Sequence, residues 1–163
     1  MQAFGEGRTR LRPIARGDLD LLRMWRNHDQ ARVWFRDSRL VEASQQQAWY
    51  ERYIGLSNDI TFAVITNHVV VGFVAIYDTD EATRSAEIGR FLVSPDHRGK
   101  GYMADACRLI IQACRDELEL SYLRLVVHQN NAGAIALYRA NGFDFSDVGR
   151  DSDAFKPMRL PLR

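Results

Sequence analysis

Cysteine, proline and net charge are all scarce in this sequence of 163 residues, which has two cysteines, four prolines and a formal net charge of +1. Cys107 and Cys114 lie in a stretch with helical periodicity, on one face but two turns apart, which is beyond comfortable disulfide reach. We therefore expect two reduced, buried thiols. A nearly neutral chain without a basic stripe has no general attraction for nucleic acid, so we expect no nucleic-acid partner.

Long hydrophobic runs are also absent. No stretch approaches the ~18 consecutive apolar residues of a membrane-spanning helix, so we expect no membrane partner. The segment MQAFGEGRTR at the start lacks the apolar centre of a secretory signal, which favours a cytoplasmic protein. No His, Cys and Asp residues show metal-ligand spacing, so we expect no metal site.

What the sequence does contain is the composition of an ordinary globular domain, with 46% hydrophobic and 26% charged residues. A chain of this length can bury roughly two-thirds of its unfolded surface, which is enough for a core without metal or disulfide support. No repeat, low-complexity tract or Pro/Gly/Ser-rich linker divides it. We therefore expect one domain over residues 1–163.

Hydrophobic periodicity and turn residues predict alternating strands and helices. Strands are predicted at residues 8–14, 60–66, 69–77, 85–94, 123–127, 144–149 and 154–160. Helices are predicted from a cap at Asp18 to Asn27, from a capping box of Ser44 and Gln47, from the glycine loop to about Glu117, and from Asn130 or Asn131 to Asn141-Gly142. Asn67-His68 is predicted to form a hairpin turn. This order of elements predicts an α/β sheet with helices on both faces.

A glycine-rich segment, Arg98-Gly99-Lys100-Gly101-Tyr102, lies between a predicted strand and a predicted helix. Unpaired N–H groups and a partial positive charge at the start of a helix suit a phosphate, and glycines let it approach the backbone. The spacing excludes a P-loop, and Ala104 stands where a dinucleotide fingerprint requires a third glycine. A basic turn whose glycines serve geometry alone is the alternative.

Two motifs make the sequence resemble the GNAT N-acetyltransferase superfamily. The family's pyrophosphate loop, Arg/Gln-x-x-Gly-x-Gly/Ala, matches at Arg98 and Gly101 and departs at its last position, which is Met103. The second motif, Asn-x-x-Ala-x-x-Leu-Tyr followed by Gly-Phe, matches at Asn131, Ala134, Leu137, Tyr138, Gly142 and Phe143. The resemblance implies a GNAT-like mixed, mostly antiparallel, twisted sheet of about six to seven strands. It also implies helices on both faces and a central parallel pair that is splayed at the cofactor site.

The resemblance implies acetyl-CoA as the acetyl donor. Its pyrophosphate would bind the amides of the loop, which comprises Arg98, Gly99, Lys100, Gly101, Tyr102 and Met103. Its pantetheine arm would pair with the preceding strand at Phe91, Leu92 and Val93, where an amide near Leu92 would polarise the thioester carbonyl. Asn131 matches a residue that contacts the cofactor arm, and it could also be only a helix cap.

The same resemblance implies direct attack by a neutral amine, which requires a base because such amines are mostly protonated at neutral pH. Glu87 is the candidate base, since it precedes the cofactor-binding stretch on the same strand; a surface glutamate is the alternative. Tyr138 matches the family tyrosine that protonates the departing CoA thiolate, and packing is its alternative role. Neither cysteine is indicated as a nucleophile, which favours direct transfer.

The acceptor must be inferred from the first half of the chain, which looks like the RimJ/RimL-type branch and is more similar to its amino-sugar-nucleotide enzymes. Arg26, Arg32 and His128 are the candidate acceptor contacts, whereas Trp25 and Trp49 are predicted core residues. The predicted acceptor is thus a small-molecule amine such as an amino-sugar nucleotide. A protein N-terminus is one alternative, and a non-catalytic acyl-CoA-binding module is another. Edge strands near the C-terminus could pair in a homodimer.

Overall fold

The computed structural model describes residues 2–5, 7–147 and 154–162. The strands in these residues are β1 (Thr9–Pro13), β2 (Asp59–Thr66), β3 (Val69–Asp80), β4 (Ser85–Val93), β5 (Tyr122–His128), β6 (Asp144–Phe145) and β7 (Phe155–Pro161). The helices are α1 (Leu19–Asn27), α2 (Asp29–Arg32), α3 (Ala43–Tyr53), α4 (Tyr102–Asp116) and α5 (Ala132–Ala140). The strands form one sheet in the order β1-β2-β3-β4-β5-β7-β6.

This sheet is mixed, because β4 and β5 run parallel while the other neighbouring strands run antiparallel. The predicted hairpin between β2 and β3 is confirmed. Its two turn residues, Asn67 and His68, have φ of 46° and 66°. Positive φ at both central residues is the type I′ geometry, whose twist matches that of the flanking strands.

Helices cover both faces of the sheet, as the sequence predicts. Successive residues of β2 point to opposite faces. Phe62 and Val64 join a core that α4 covers, whereas Ala63 joins a second core beneath α1 and α3. Trp25 belongs to this second core, and its ring centre lies 5.5 Å from that of Phe73. The predicted fold class is therefore confirmed.

The central parallel pair separates soon after it forms. β4 and β5 are paired only through Ser85–Glu87 and Tyr122–Arg124 in the described part of the chain. Beyond these residues each strand pairs on its outer side alone, β4 with β3 and β5 with β7. A gap therefore opens in the middle of the sheet, as a splayed pair requires.

A bulge in β4 accounts for this divergence. Two residues, Arg90 and Phe91, face the single residue Val74 of β3. Arg90 has φ of 53°, which is unusual for a residue other than glycine. Its guanidinium donates to both carboxylate oxygens of Asp59 at 2.7 and 2.8 Å, which stabilises the bulged conformation. Because a bulge bends its strand and increases the local twist, β4 turns away from β5.

The predicted cap at Asp18 is wrong, although α1 begins where the sequence indicates. The Asp18 side chain makes no capping hydrogen bond to α1. It accepts instead from the two terminal nitrogens of Arg12 at 2.7 and 2.8 Å and from the Ala15 amide at 2.7 Å. The Asp18 carboxylate is therefore paired with Arg12 of β1 and does not cap α1.

The second long helix begins at Ala43, close to the predicted Ser44, but its predicted capping box is wrong. Glu42 has an extended backbone, and the Gln45 side chain accepts from its amide at 2.8 Å. The reciprocal pair therefore lies two residues before the predicted box, so Ser44 and Gln47 lie inside α3. The short helix α2 was not predicted.

The predicted ends of α5 are confirmed. The Asn131 side chain accepts from the Ala134 amide at 3.1 Å, and Gly142 has the left-handed φ of 90°. The strand predicted at 144–149 is observed at Asp144–Phe145, and its last two residues lie outside the described residues. Within the described residues, no helix combines the length and apolar character needed to cross a membrane.

Candidate active site

The gap between β4 and β5 opens into a cleft with a volume of about 1410 Å³. One end, which we call the loop end, is lined by side chains and backbone from residues 97–104. The other, which we call the helical end, is lined by residues from 22–49. The cleft therefore connects the glycine loop with α1, α2 and the start of α3.

Two glycines with left-handed backbones shape the loop end. Gly99 has φ of 71° and Gly101 has φ of 82°, conformations that residues with a Cβ rarely adopt. α4 begins immediately afterwards at Tyr102. The Ala104 amide already donates to the Gly101 carbonyl at 3.1 Å, but the amides of Tyr102 and Met103 have no partner within the helix. Together with the helix dipole, these groups can hold a phosphate or pyrophosphate.

The two cations of the loop are placed differently. Arg98 lines the cleft, and its guanidinium donates to the side chain of Gln30 in α2. Lys100 is not among the residues that line the cleft, and its carbonyl accepts from Arg8 Nη2 at 3.2 Å. An anion in the loop would therefore meet the charge of Arg98 more directly than that of Lys100.

Arg8, which precedes β1, and Thr9, its first residue, brace the start of α4. Arg8 Nε and Thr9 Oγ1 both donate to Asp105 Oδ2, at 2.9 and 3.1 Å. The Arg8 guanidinium carbon also lies 5.0 Å from the centre of the Tyr102 ring. Burial favours a higher pKa for Asp105, but the hydrogen bonds from Arg8 and Thr9 outweigh it and lower the pKa. An ionised Asp105 thus ties the helix that presents the loop amides to β1.

Met103, the departure from the loop motif, is accommodated by a glycine on β3. A Cβ placed at Gly72 would lie 2.6 Å from the Met103 methyl carbon and 2.4 Å from the Leu92 carbonyl oxygen. The missing side chain at Gly72 therefore leaves the space that the methionine occupies. The Met103 side chain packs against the main core, and its amide stays in the first turn of α4.

The residues predicted to hold the pantetheine arm alternate across β4. The Ser94 amide donates to the Val71 carbonyl at 2.9 Å, and hydrogen bonding alternates along an antiparallel pair. The amide of Leu92 therefore faces β3, and that of its neighbour Val93 faces the gap. A donor for an extended ligand, or for a carbonyl oxygen, thus lies directly beside Leu92.

Glu87 lies on the cleft wall where β4 and β5 part. The Tyr77 hydroxyl donates to Glu87 Oε1 at 2.9 Å, and Arg124 Nε lies 3.8 Å from Oε2. Burial, together with the Glu87 charge, raises the pKa of Tyr77 far above its usual range, so the hydroxyl keeps its proton. The Glu87 side chain is only 21% exposed. This placement differs from that of a fully solvated surface glutamate.

Tyr138 lines the same cleft from α5 and is 7% exposed. Its ring centre lies 5.4 Å from that of Phe91. Burial, with a smaller contribution from Cys107, raises the pKa of Tyr138 above its ordinary value. The hydroxyl is therefore protonated at neutral pH and can donate a proton. Asn131, which caps the same helix, also lines the cleft, so its predicted contact with the cofactor arm is compatible with its cap.

His128 lies at the end of β5 between two aromatic rings. Its ring centre is 5.5 Å from Trp34 and 5.0 Å from Phe155. Its Nδ1 accepts from the Asn130 amide at 3.2 Å, which places the proton of the neutral ring on Nε2. His128 lines the cleft and can donate a hydrogen bond there.

Arg26 and Arg32, the other candidate acceptor contacts, donate to the adjacent carbonyls of Asp37 and Ser38, but only Arg26 is among the residues that line the cleft. Arg26 lines the cleft, stacks 4.5 Å from the centre of the Phe35 ring and donates to the Asp37 carbonyl. Its Nη1 is buried without a hydrogen-bond partner. Arg32 does not line the cleft, and its Nε donates to Asp29 at 2.8 Å. Arg26 is therefore the arginine that can reach an acceptor in the cleft, whereas Arg32 stabilises α2.

Comparison with known proteins identifies the family. A model of the acetyltransferase (GNAT) domain matches residues 8–144. The chain belongs to the GNAT acetyltransferase family. It is 30% identical over 138 residues to the spermidine N(1)-acetyltransferase of Escherichia coli K12, covering 83% of this chain and 72% of that protein. It is 28% identical over 103 residues to the putative ribosomal N-acetyltransferase YdaF of Bacillus subtilis, covering 63% of this chain and 55% of that protein.

Solved structures agree with the GNAT fold. A spermidine N-acetyltransferase from Vibrio cholerae, in complex with CoA and spermine, has a TM-score of 0.86 at 21% identity, covering 96% of this chain and 97% of that chain. FdhC, a nucleotide-linked sugar GNAT, has a TM-score of 0.81 at 18% identity, covering 99% and 89%. At these identities the likeness concerns the fold.

Membership of the GNAT family establishes the reaction class and the donor. The chain is an acetyl-CoA-dependent N-acetyltransferase, as the sequence predicts. Its cysteines, Cys107 and Cys114, are both buried, and burial raises the pKa of each thiol to about 12. A protonated, buried thiol is a poor nucleophile. The roles of Glu87, Tyr138 and the other site residues stay predictions.

Three residues that shape this GNAT site were not predicted. Arg8 belongs to an alternating run of arginines, but its partner Asp105 is 97 residues away in sequence. Gly72 lies inside a predicted strand, and an interior strand glycine signals a close backbone approach. Tyr77 ends the strand predicted at 69–77, and only the register with β4 shows that it faces Glu87.

Proposed function

We propose that this enzyme transfers the acetyl group of acetyl-CoA directly to the primary amine of a small molecule. The observation that carries the proposal is a single cleft that holds the amides of the loop end together with Glu87 and Tyr138. The similarity to a spermidine N(1)-acetyltransferase supports a small amine as the acceptor. Residues 1–163 would act as one catalytic domain.

Each residue has a defined task in the proposed reaction. The amides of Gly99 to Met103 hold the pyrophosphate, and an amide beside Leu92 donates to the thioester carbonyl oxygen. Glu87 accepts the proton that the acceptor ammonium must lose before its nitrogen can attack. Tyr138 donates its phenolic proton to the CoA sulfur as the carbon–sulfur bond breaks. The Tyr138 phenolate then takes the second proton of the attacking nitrogen, which leaves a neutral amide, and Glu87 releases its proton to solvent.

The helical end supports an acceptor that carries an anionic group. The unpaired Nη1 of Arg26 is a donor for a phosphate or carboxylate, and the rings of Trp34 and Phe155 can contact a base or sugar. A polyamine would require carboxylates instead. Among those that line the cleft, Asp37 is held by Arg39 at 2.7 and 2.9 Å, which leaves Asp78 and Glu87. These contacts favour the amino-sugar-nucleotide class within the RimJ/RimL-type branch. The spermidine relative makes a polyamine the competing small molecule.

A protein N-terminus is the second candidate acceptor, because the chain is also similar to a putative ribosomal N-acetyltransferase.

Self-association is a further part of the proposal. A homodimer is expected from the edge strands, and the relative from Vibrio cholerae has been described as dodecameric. Sedimentation equilibrium would distinguish a dimer from a larger assembly.

The test combines ligand binding and turnover. We expect acetyl-CoA and CoA, but not NADH, to raise the melting temperature, because a ligand that binds only the folded state stabilises it. Release of free CoA thiol would then be measured with an amino-sugar nucleotide, spermidine and a peptide with a free N-terminus. Turnover of the peptide alone would replace the small-molecule proposal. A thermal shift without turnover of any amine would favour a non-catalytic acyl-CoA-binding module.

A further inference from the structure

The hydroxyl of Tyr77 occupies space that a side chain at position 89 would fill. A Cβ placed at Gly89 would lie 2.5 Å from the Tyr77 hydroxyl oxygen and 3.2 and 3.3 Å from two of its ring carbons. Glycine ordinarily weakens a strand interior, so its presence here needs a reason. Because Gly89 has no side chain, the Tyr77 hydroxyl can lie within hydrogen-bond distance of Glu87.

Arg90 fixes the ring of Tyr77. Its guanidinium carbon lies 4.4 Å from the ring centre, and its bidentate pair with Asp59 holds the guanidinium in that position. The Asp59 side chain is 12% exposed and that of Arg90 is 35% exposed, so the carboxylate is the shielded partner of this ion pair. The bulge residue therefore links the conformation of β4 to the position of the tyrosine ring.

The two oxygens of Glu87 face different groups. Oε1 accepts the hydrogen bond from Tyr77. Oε2 lies 3.8 Å from Arg124 Nε, beyond hydrogen-bond distance, and the terminal nitrogens of that arginine donate instead to the Ser85 hydroxyl and the Asp78 carbonyl at 2.8 and 2.9 Å. Oε2 is therefore the oxygen that remains able to accept a proton.

We propose that Tyr77 is the positioning residue of the catalytic carboxylate: its hydroxyl holds Oε1 of Glu87, so that Oε2 takes the proton from the acceptor amine. The proposal rests on the function proposed above, in which Glu87 is the base. The charged and titratable groups around this carboxylate are Tyr77 and Asp78 on β3, Arg90 on β4 and Arg124 on β5. Tyr77 is the one of these that donates a hydrogen bond to it.

The first experiment is Tyr77→Phe, which keeps the ring beneath Arg90 and removes only the hydroxyl. A hydrogen bond to the ionised carboxylate favours that form, so its loss should move the acid limb of the pH–rate profile to higher pH. We expect kcat to fall roughly tenfold, with the KM for acetyl-CoA unchanged. Tyr50→Phe is the control, because it removes a hydroxyl from a buried tyrosine (8% exposed) that does not line the cleft.

A double-mutant cycle tests whether Gly89 acts through the tyrosine. Gly89→Ala should displace the Tyr77 hydroxyl and lower kcat by a similar factor. In the Tyr77→Phe background the hydroxyl clash is absent, so the same alanine should cost much less. Fully additive effects would show that Gly89 acts independently and would contradict this part of the proposal.

Glu87→Gln separates failure of this inference from failure of the proposed function. An unchanged rate and pH profile in Glu87→Gln removes Glu87 as the base, and the positioning role goes with it. If Glu87→Gln loses the acid limb while Tyr77→Phe keeps the wild-type rate and limb, only the positioning role is wrong. A ¹³C NMR titration of the Glu87 carboxyl needs no turnover. A midpoint that is the same in Tyr77→Phe as in the wild type would also overturn the proposal.

Discussion

The loop end and the helical end of the cleft use different parts of the chain. The loop end presents backbone amides, positioned by Gly99, Gly101 and the start of α4. The helical end presents side chains, such as Arg26 and Trp34, whose positions depend on how short helices and their connections pack. Backbone geometry can be specified by a few residues, whereas side-chain geometry depends on many contacts.

The two ends therefore consist of different groups of this chain, backbone amides at the loop end and side chains at the helical end. Substitutions at the two ends should therefore separate donor effects from acceptor effects.

The largest effect should come from Tyr138, which lines the cleft from α5 and belongs to neither end. Tyr138→Phe removes the proposed acid for the CoA thiolate, and we expect kcat to fall about 100-fold with acetyl-CoA binding unchanged. Because burial raises the pKa of Tyr138, the wild type should retain the protonated acid well into the alkaline range. Steady-state kinetics from pH 6 to 10 checks both points, with Tyr50→Phe as the control. Full activity in Tyr138→Phe would reassign the residue to packing.

A substitution at Gly72, which supports the loop end through Met103, should mainly affect the donor. Gly72→Ala places a Cβ against the Leu92 carbonyl and the Met103 methyl group. Because the carbonyl belongs to the backbone, β4 must shift, and we expect roughly 1–3 kcal/mol of destabilisation. The KM for acetyl-CoA should rise about tenfold. Gly17→Ala is the control, since a Cβ there has open space. Equal acetyl-CoA KM values in the two variants would show that Gly72 does not support the loop.

A substitution at the helical end should mainly affect the acceptor. Arg26→Gln removes the unpaired Nη1 donor, and we expect the acceptor KM to rise roughly fivefold or more while the KM for acetyl-CoA stays constant. Arg23→Gln, on the same helix but outside the cleft lining, is the control. Arg32→Gln should weaken α2 and have a smaller effect on acceptor KM. If replacing both Arg26 and Arg32 leaves that KM unchanged, neither arginine contacts the acceptor.

The smallest effect should appear in stability alone. Burial favours a higher pKa for Asp18, but hydrogen bonds from Arg12 and Ala15 outweigh it and lower the pKa. A lowered pKa adds stability above the unfolded value of about 3.9, and this stability is lost as the pH falls through the folded value. We expect Asp18→Asn to cost about 1–2 kcal/mol at pH 7, and less below pH 4. Urea unfolding at both pH values measures this; a cost independent of pH would contradict the ion-pair account.

Local signals in the sequence predicted most of the fold and the loop end. The hairpin turn depends on Asn67 and His68 themselves, and the start of α5 depends on the side chain of Asn131. The failures involve partners that are distant in sequence or compete with a local bond. Asp18 pairs with Arg12 rather than capping α1. The contact between Tyr77 and Glu87 depends on a strand register that periodicity does not specify.

The most direct test of this account is a crystal structure of the enzyme with acetyl-CoA. We expect the pyrophosphate on the amides of residues 99–103, and the pantetheine arm in the gap between β4 and β5. The thioester carbonyl should accept a hydrogen bond from an amide beside Leu92, with the sulfur near the Tyr138 hydroxyl. A donor bound outside the gap, or a thioester remote from Tyr138 and Glu87, would contradict the account.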